Sequence, residues 1–269
     1  MVRSMPAAAW RPAEGDVLKH NETVQSEFTR QAESFRASMT LSAAEVTTRV
    51  GEALGPGVQR ALDIACGPGI LLPTLSAQAQ SVVGVDLTRK NLLLARDAET
   101  NGPVYLVRAL AEYLPFGAGT FDAVVLRLAL HHFLQPEVAL AAARSVLRSR
   151  GRLVVLDVLG PEDRATSELR DALERLRDPS HTALLSRESM TTHLDQAGFT
   201  LRDETLWSQP REFTDWAAIM NEPRRMADFK VILRALCRSG AEPAGLNLRE
   251  EGSELWFTYD WGLFIADAA

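Results

Sequence analysis

The sequence predicts an α/β fold: a mostly parallel sheet with helices on both faces. Three observations carry that reading. Short apolar runs recur at Ala61–Ala65, Ser81–Val85, Val104–Val107, Phe121–Leu126 and Arg152–Leu156. Helical patterns lie between several of them, as a parallel sheet requires of its crossovers. The composition, 46% apolar and 24% charged over 269 residues, is that of an ordinary globular chain.

Taken in order, residues 1–19 mix Pro, Ala, Trp and charges and read as a mobile leader. Residues 20–269 read as a single domain, since one large domain or a domain with a cap accommodates this length. From His20, the residues Val24, Phe28, Ala32, Phe35 and Met39 share one helical face. A second helix is expected to open on a Ser42/Glu45 capping box, bury Val46, Val50 and Leu54, and stop at Gly55-Pro56-Gly57. These two form an N-terminal cap over 20–55. After the first strands, Thr88 is placed to cap a helix carrying Leu92, Leu93 and Ala95, and Pro136–Arg148 reads as another. Helices are expected over 162–177 and from Ser186 to a Gly198 stop. Phe199–Trp207 and Leu255–Ala266 are the last strand candidates. Between them, about 210–250 is long for a loop, and its apolar spacing predicts one or two inserted helices. Such an insertion either covers a site or packs on the surface.

Charge and cysteine usage narrow the class. A net charge of −6 leaves no dominant basic field, so nucleic acid is not the expected partner. Cys66 and Cys237 cannot build a disulfide framework, which suits a reducing cytoplasm. The uncharged stretch between Asp63 and Asp86 approaches membrane-span length, but Gly67, Pro68, Gly69, Pro73 and a polar run break it. No membrane span is expected. The five histidines and two cysteines show no metal-ligand spacing, so no metal is expected.

The strongest motif is Leu62-Asp63-Ile64-Ala65-Cys66-Gly67-Pro68-Gly69, a buried strand running into a glycine turn. Gly67 and Gly69 admit a ligand close to the backbone. The next strand ends at Asp86, where a carboxylate is placed to grip the hydroxyls of a ribose. A dinucleotide loop wants G-x-G-x-x-G so that pyrophosphate can sit on the helix N-terminus. Here Leu72 stands at the third glycine position, and Asp63 would repel a pyrophosphate. A carboxylate there favours a cationic ligand. S-adenosylmethionine has an ammonium, a sulfonium and a ribose.

With Gly84-Val85-Asp86, the Ala111–Phe116 run, Phe121–Val124, Arg127–Phe133 and Gly151-Arg152-Leu153 in this order, the chain resembles the class I SAM-dependent methyltransferases over roughly 20–205. The likeness is close to the ubiquinone/menaquinone-biosynthesis type. The resemblance implies a Rossmann-like seven-stranded sheet with the last strand antiparallel. It also implies backbone contact with the methionine moiety from Ala65, Cys66, Gly67 and Gly69. Asp86 would bind the ribose, Leu87 would lie against the adenine, and Leu110 and Ala111 would sit at its edge. Arg127 would face the sulfonium end. Relatives commonly carry an acid where this chain has Leu110, so one adenine hydrogen bond, worth about 1 kcal/mol, is expected to be missing. Ala65 stands where relatives have glycine.

Methyl transfer needs an aligned nucleophile and, for a phenol, enol-type carbon or amine, a base. His131 and His132 follow the fourth strand, and His131 is the preferred candidate for the pocket. In an extended chain the two would face opposite ways. His181, after Arg177-Asp178-Pro179-Ser180, either reaches the mouth of the site or belongs to a helix stop. Asp157, at the end of the fifth strand, is either a base or a structural acid. Phe28, Phe35 and Met39, with Trp216 and Met220 from the insertion, line an apolar acceptor pocket or fill the core. His132 is placed with that pocket. The expected activity is methyl transfer to an oxygen or carbon of a hydrophobic small molecule. Two alternatives stay open: a non-methylating cyclisation or rearrangement on the same fold, and a nonenzymatic binding partner. The sequence leaves the oligomeric state open.

Overall fold

A computed structural model describes residues 13–38, 44–240 and 244–269. It opens with two helices, α1 (Glu14–Ala37) and α2 (Ala44–Leu54), ahead of the sheet. The first begins six residues before His20, so part of the expected leader is helical. Ser42 of the expected capping box lies outside the described residues, and so does Met39.

Five parallel strands follow: β1 (Val58–Ile64), β2 (Ala79–Asp86), β3 (Val104–Arg108), β4 (Phe121–Arg127) and β5 (Leu147–Leu159). They are joined through α3 (Leu72–Gln78), α4 (Arg89–Ala95) and α5 (Pro136–Val146). The chain continues with α6 (Arg164–Arg177), α7 (Arg187–Gln196), β6 (Phe199–Glu212), α8 (Phe213–Ala218), α9 (Pro223–Arg238), β7 (Arg249–Glu251) and β8 (Glu254–Ala268). The sheet order is β3-β2-β1-β4-β5-β8-β6, with β8 antiparallel to both neighbours. The expected seven-stranded arrangement is therefore present. The short β7 adds an eighth strand as a hairpin with the start of β8.

Two apolar cores flank the sheet because alternate strand residues point to opposite faces. Ala123 and Val125 of β4 join the α2, α3 and α9 side. Val124 and Leu126 join the α5 and α7 side. Of the one or two inserted helices expected between β6 and β8, the structure has two, α8 and α9. Thr88 precedes α4 but its side chain makes no cap bond; Asp86 accepts the Thr88 N–H instead. Ser186 does cap α7, accepting from Ser189 N at 3.2 Å. Among the described residues, no helix is long and apolar enough to cross a membrane.

Three features place the site. The parallel strands end together at the glycine loop and the β2 and β4 carboxyl ends, where α/β folds bind ligands. Helix α1 lies over this edge. Its His20 Nε2 meets His132 O at 2.7 Å, Gln31 donates to Asp178 Oδ2 at 3.4 Å, and Ser34 donates to Ile219 O at 2.7 Å. Finally, β6 and β8 pair as a long ribbon from Phe199↔Ala268 to Glu212↔Trp256, which carries Arg211 and Trp261 toward that edge.

Candidate active site

A cavity of about 440 Å³ opens at the carboxyl ends of β1, β2 and β4 under α1. Asp63, Ala65, Cys66, Gly67, Asp86, Leu87, Leu110, Ala111 and Arg127 all line it. Gly69 does not. A Cβ there would meet Ala95 Cα and Cβ at 3.0 Å, so this glycine lets α4 pack against the loop. Its φ of +87° also suits glycine.

The loop is held from the neighbouring strand. Asp86 Oδ2 accepts the Gly67 N–H at 2.8 Å, while Oδ1 accepts from Thr88 N at 2.7 Å and Asn91 Nδ2 at 3.3 Å. Burial pushes the Asp86 pKa up against these hydrogen bonds. Gly84 leaves room for the Cys66 side chain, whose Sγ would lie 3.0 Å from a Cβ at that position. Burial, with Asp63 and Asp86 nearby, pushes the Cys66 thiol up, so it is no nucleophile. Ala65 adopts φ +57°, a conformation that costs an L-residue about 1–2 kcal/mol and that glycine takes freely.

Asp63 is buried, and its Oδ2 has no hydrogen-bond partner. Burial raises its pKa to about 7, opposed by Arg127 and reinforced by Asp86. Arg127 is itself pulled down to about 10 by burial and repulsion from Arg211, against the attraction of Asp63 and Asp157.

A second, smaller cavity of about 80 Å³ adjoins the first. Phe28, Phe35, Leu128 and His132 line both. Leu128 holds φ +52°, and such strain in a bulky residue is characteristic of functional sites. His131 lines only the smaller chamber, so the large cavity receives His132 instead of the preferred His131. The extended-chain argument fails because Leu130–His132 form a 3-10 turn, which sets the two rings 4.2 Å apart.

The two histidines differ electrically. Burial disfavours charge on His131, but Asp157 Oδ1 lies 2.5 Å from its Nδ1, and the pKa is raised. Burial and the neighbouring His131 drive the His132 pKa well below its ordinary value. His132 Nδ1 lies 3.1 Å from both O and Oγ of Ser180. The Ser180 hydroxyl donates to Asp178 Oδ1 at 2.6 Å. Its proton is therefore committed, and His132 Nδ1 is the donor. That leaves His132 Nε2 as an acceptor.

The other catalytic candidates lie elsewhere. Asp157 lines neither cavity; it accepts from Leu130 N at 3.0 Å, Val158 N at 2.8 Å and His131. With its acceptors engaged, it orients the turn. His181 also lines neither cavity, because its Nε2 is held by Asp171 Oδ1 at 2.8 Å inside the helix stop after α6. Among the substrate candidates, Phe28 and Phe35 line both chambers and Trp216 lines the smaller. Met220 is core: it is fully buried, with its sulfur 2.9 Å from Arg177 Nη1. Met39 lies outside the described residues.

Sequence reasoning missed Leu128, Ser180, Asp178, Arg211, Tyr259 and Trp261. Only Asp178 and Ser180 gave a signal, as turn residues. Leu128 lies within the Arg127–Phe133 run, but nothing in its residue type marks it; Arg211, Tyr259 and Trp261 come from β6 and β8, too distant in sequence to be associated with the site. The small chamber is also less apolar than expected, with His131, Arg177, Asp178 and Arg211 in its wall.

The residues present fit S-adenosylmethionine. A buried carboxylate oxygen without a partner suits its ammonium or sulfonium. A Cβ built at Gly67 meets nothing within 4 Å, so the backbone there is open to a ligand. Comparisons with known proteins agree. The family model for a methyltransferase domain matches residues 62–155. The uncharacterized methyltransferase YcgJ of Bacillus subtilis is 29% identical over 72% of this chain and 78% of its own length. Its crystal structure superposes with a TM-score of 0.74, covering 83% of this chain and 98% of that one at 24% identity. The uncharacterized methyltransferase sll0829 of Synechocystis is 31% identical over 58% of this chain and 73% of its length. The ubiquinone/menaquinone biosynthesis C-methyltransferase UbiE of Marinomonas is 32% identical over 50% of this chain and 60% of its own length. The chain belongs to the class I SAM-dependent methyltransferases, in kinship with the UbiE type, and its cofactor is S-adenosylmethionine.

Proposed function

We propose that this enzyme methylates an oxygen or carbon of a small acceptor bound in the smaller chamber, with His132 as the base. The observation that carries the reading is the shared wall: Phe28, Phe35, Leu128 and His132 face both cavities, so donor and acceptor meet there. Asp63 and the backbone of Ala65, Cys66 and Gly67 would hold the methionine moiety, Asp86 the ribose, and Leu87, Leu110 and Ala111 the adenine. When bound, the cofactor supplies a methyl group on a sulfonium, open to in-line displacement.

His132 Nε2 takes the acceptor's proton, a role that its low pKa suits by keeping it neutral near pH 7. The imidazolium is steadied through Ser180 by Asp178. Burial opposes ionisation of that carboxyl, but His132 and Arg177 hold its pKa well below the usual range. Asp157 fixes His131 and, through Leu130 N, the turn that positions both rings. Phe28, Phe35 and Trp216 supply apolar surface for the acceptor's body, and α1 excludes water. The acceptor is a small molecule rather than a nucleic acid, and the setting is cytoplasmic biosynthesis.

The test is transfer of label from methyl-labelled S-adenosylmethionine to a panel of phenolic and enolic acceptors. Labelled product with equimolar S-adenosylhomocysteine supports the proposal. An acceptor converted without S-adenosylhomocysteine formation assigns a cyclisation or rearrangement instead. Cofactor binding with no conversion of any acceptor contradicts both.

A further inference from the structure

The smaller chamber contains a buried cation with no counterion. Arg211, near the end of edge strand β6, is only 6% exposed, and its Nε has no hydrogen-bond partner. No carboxylate among the described residues pairs with it. Its side chain lies over the Trp261 ring, 5.4 Å from the centroid. Tyr259 is the one group that raises its pKa, and burial brings that pKa to about 10, leaving the guanidinium charged at neutral pH. Trp261 is 2% exposed, and its Nε1–H is also without a partner. Both side chains line the chamber.

The other charges there are matched. Arg177 donates to Glu174 Oε2 at 2.9 Å, and Arg170 to Glu174 Oε1 at 3.2 Å. Tyr259 O–H also donates to Glu174. Asp178 is held by Ser180 and Gln31, and Asp157 by His131. An unmatched guanidinium and an unmatched indole N–H, both buried beside one small cavity, are donors that an anion would satisfy. A guanidinium fork matches a carboxylate in two parallel hydrogen bonds. The nearby Glu174 and Asp178 favour a monoanion over a doubly charged phosphate.

We propose that the methyl acceptor carries a carboxylate, bound in the smaller chamber by Arg211 and the Trp261 N–H. This rests on the assignment of that chamber to the acceptor. Arg211 would then hold the far end of a small hydroxy- or enol-acid, leaving its reactive atom to His132 at the wall shared with the donor cavity.

The experiment titrates 4-hydroxybenzoate and 4-hydroxybenzamide into the protein saturated with S-adenosylhomocysteine. The acid is expected to bind about ten- to a hundredfold more tightly, the span of a charge-assisted hydrogen-bond pair. Arg211→Met brings the two within about twofold while S-adenosylhomocysteine affinity holds, and the melting temperature does not fall, because no partner is orphaned. Trp261→Phe, which retains the charge, weakens the acid severalfold and leaves the amide unchanged. Equal affinities in the wild-type protein, no binding of the acid, or a preference that survives Arg211→Met overturns the proposal. A large fall in melting temperature for Arg211→Met marks a structural role and also overturns it. Failure of S-adenosylhomocysteine to bind would instead strike the assignment of the larger cavity.

Discussion

Asp86 Oδ2 accepts the Gly67 N–H at 2.8 Å, so the acid that ends β2 also fastens the glycine loop that follows β1. The carboxylate thus does two jobs if it also receives the ribose: it shapes the loop and it binds. Asp86→Ala is expected to weaken S-adenosylmethionine binding by about ten- to a hundredfold, or about 1.4 kcal/mol per factor of ten. Asp86→Asn, which keeps one carbonyl acceptor, is expected to lose less. Isothermal titration measures both, and unchanged affinity in the alanine variant would remove Asp86 from the site.

Asp63 makes cofactor binding depend on pH. Burial raises the pKa of its carboxyl to about 7. A ligand cation favours the carboxylate, so binding below that pH must expel a proton. Affinity is expected to fall about tenfold per pH unit below 7 and to level off above it. Asp63→Asn should abolish this dependence and weaken binding at pH 8. The stability effect has the opposite sense. An unfolded Asp63 ionises near 3.8 and the folded one near 7, so this residue lowers stability as pH rises between those values.

His132 should separate chemistry from binding. His132→Gln is expected to lower kcat by about a hundred- to ten-thousandfold, while S-adenosylmethionine affinity changes little. In the wild-type enzyme the acid limb of kcat lies below the ordinary histidine range, in line with the lowered pKa. A variant with unaltered kcat would show that the proton leaves by another route.

The His131–Asp157 pair is expected to contribute to stability. Asp157→Ala strips the turn of two hydrogen bonds and β5 of one, and leaves a buried imidazole without its carboxylate. Unfolding free energy at pH 6 is expected to drop by about 3–5 kcal/mol, read from urea denaturation. Because the folded His131 pKa is raised, the pair's contribution is complete below the unfolded value. It is lost as pH rises through the folded one. The gap between wild type and variant therefore narrows at alkaline pH. A constant gap would mean that the backbone contacts alone matter.

The wall of the larger cavity was legible because it is local. A buried strand, a glycine turn and an acid at the next strand end place Asp63, Gly67 and Asp86 within one β-α-β unit. The smaller chamber and its neighbours are non-local. His132, Ser180, Arg211 and Trp261 come from four separate segments, and no periodicity links them. The alternation that would have turned His131 and His132 to opposite sides does not apply, because a 3-10 turn replaces the extended chain and brings both rings to the smaller chamber. Met220 and Gly69 failed differently: Met220 is core, and Gly69 serves helix packing rather than the cavity. His181 satisfied the chemistry by type, but Asp171 already holds it.

The most direct test of the account is a crystal structure with S-adenosylhomocysteine bound. The amino-acid moiety is expected beside Asp63, the ribose on Asp86 and the sulfur facing the opening between Leu128 and His132, toward the smaller chamber. A sulfur turned away from His132, or an adenosine seated elsewhere than Asp86, Leu87 and Leu110, would contradict it.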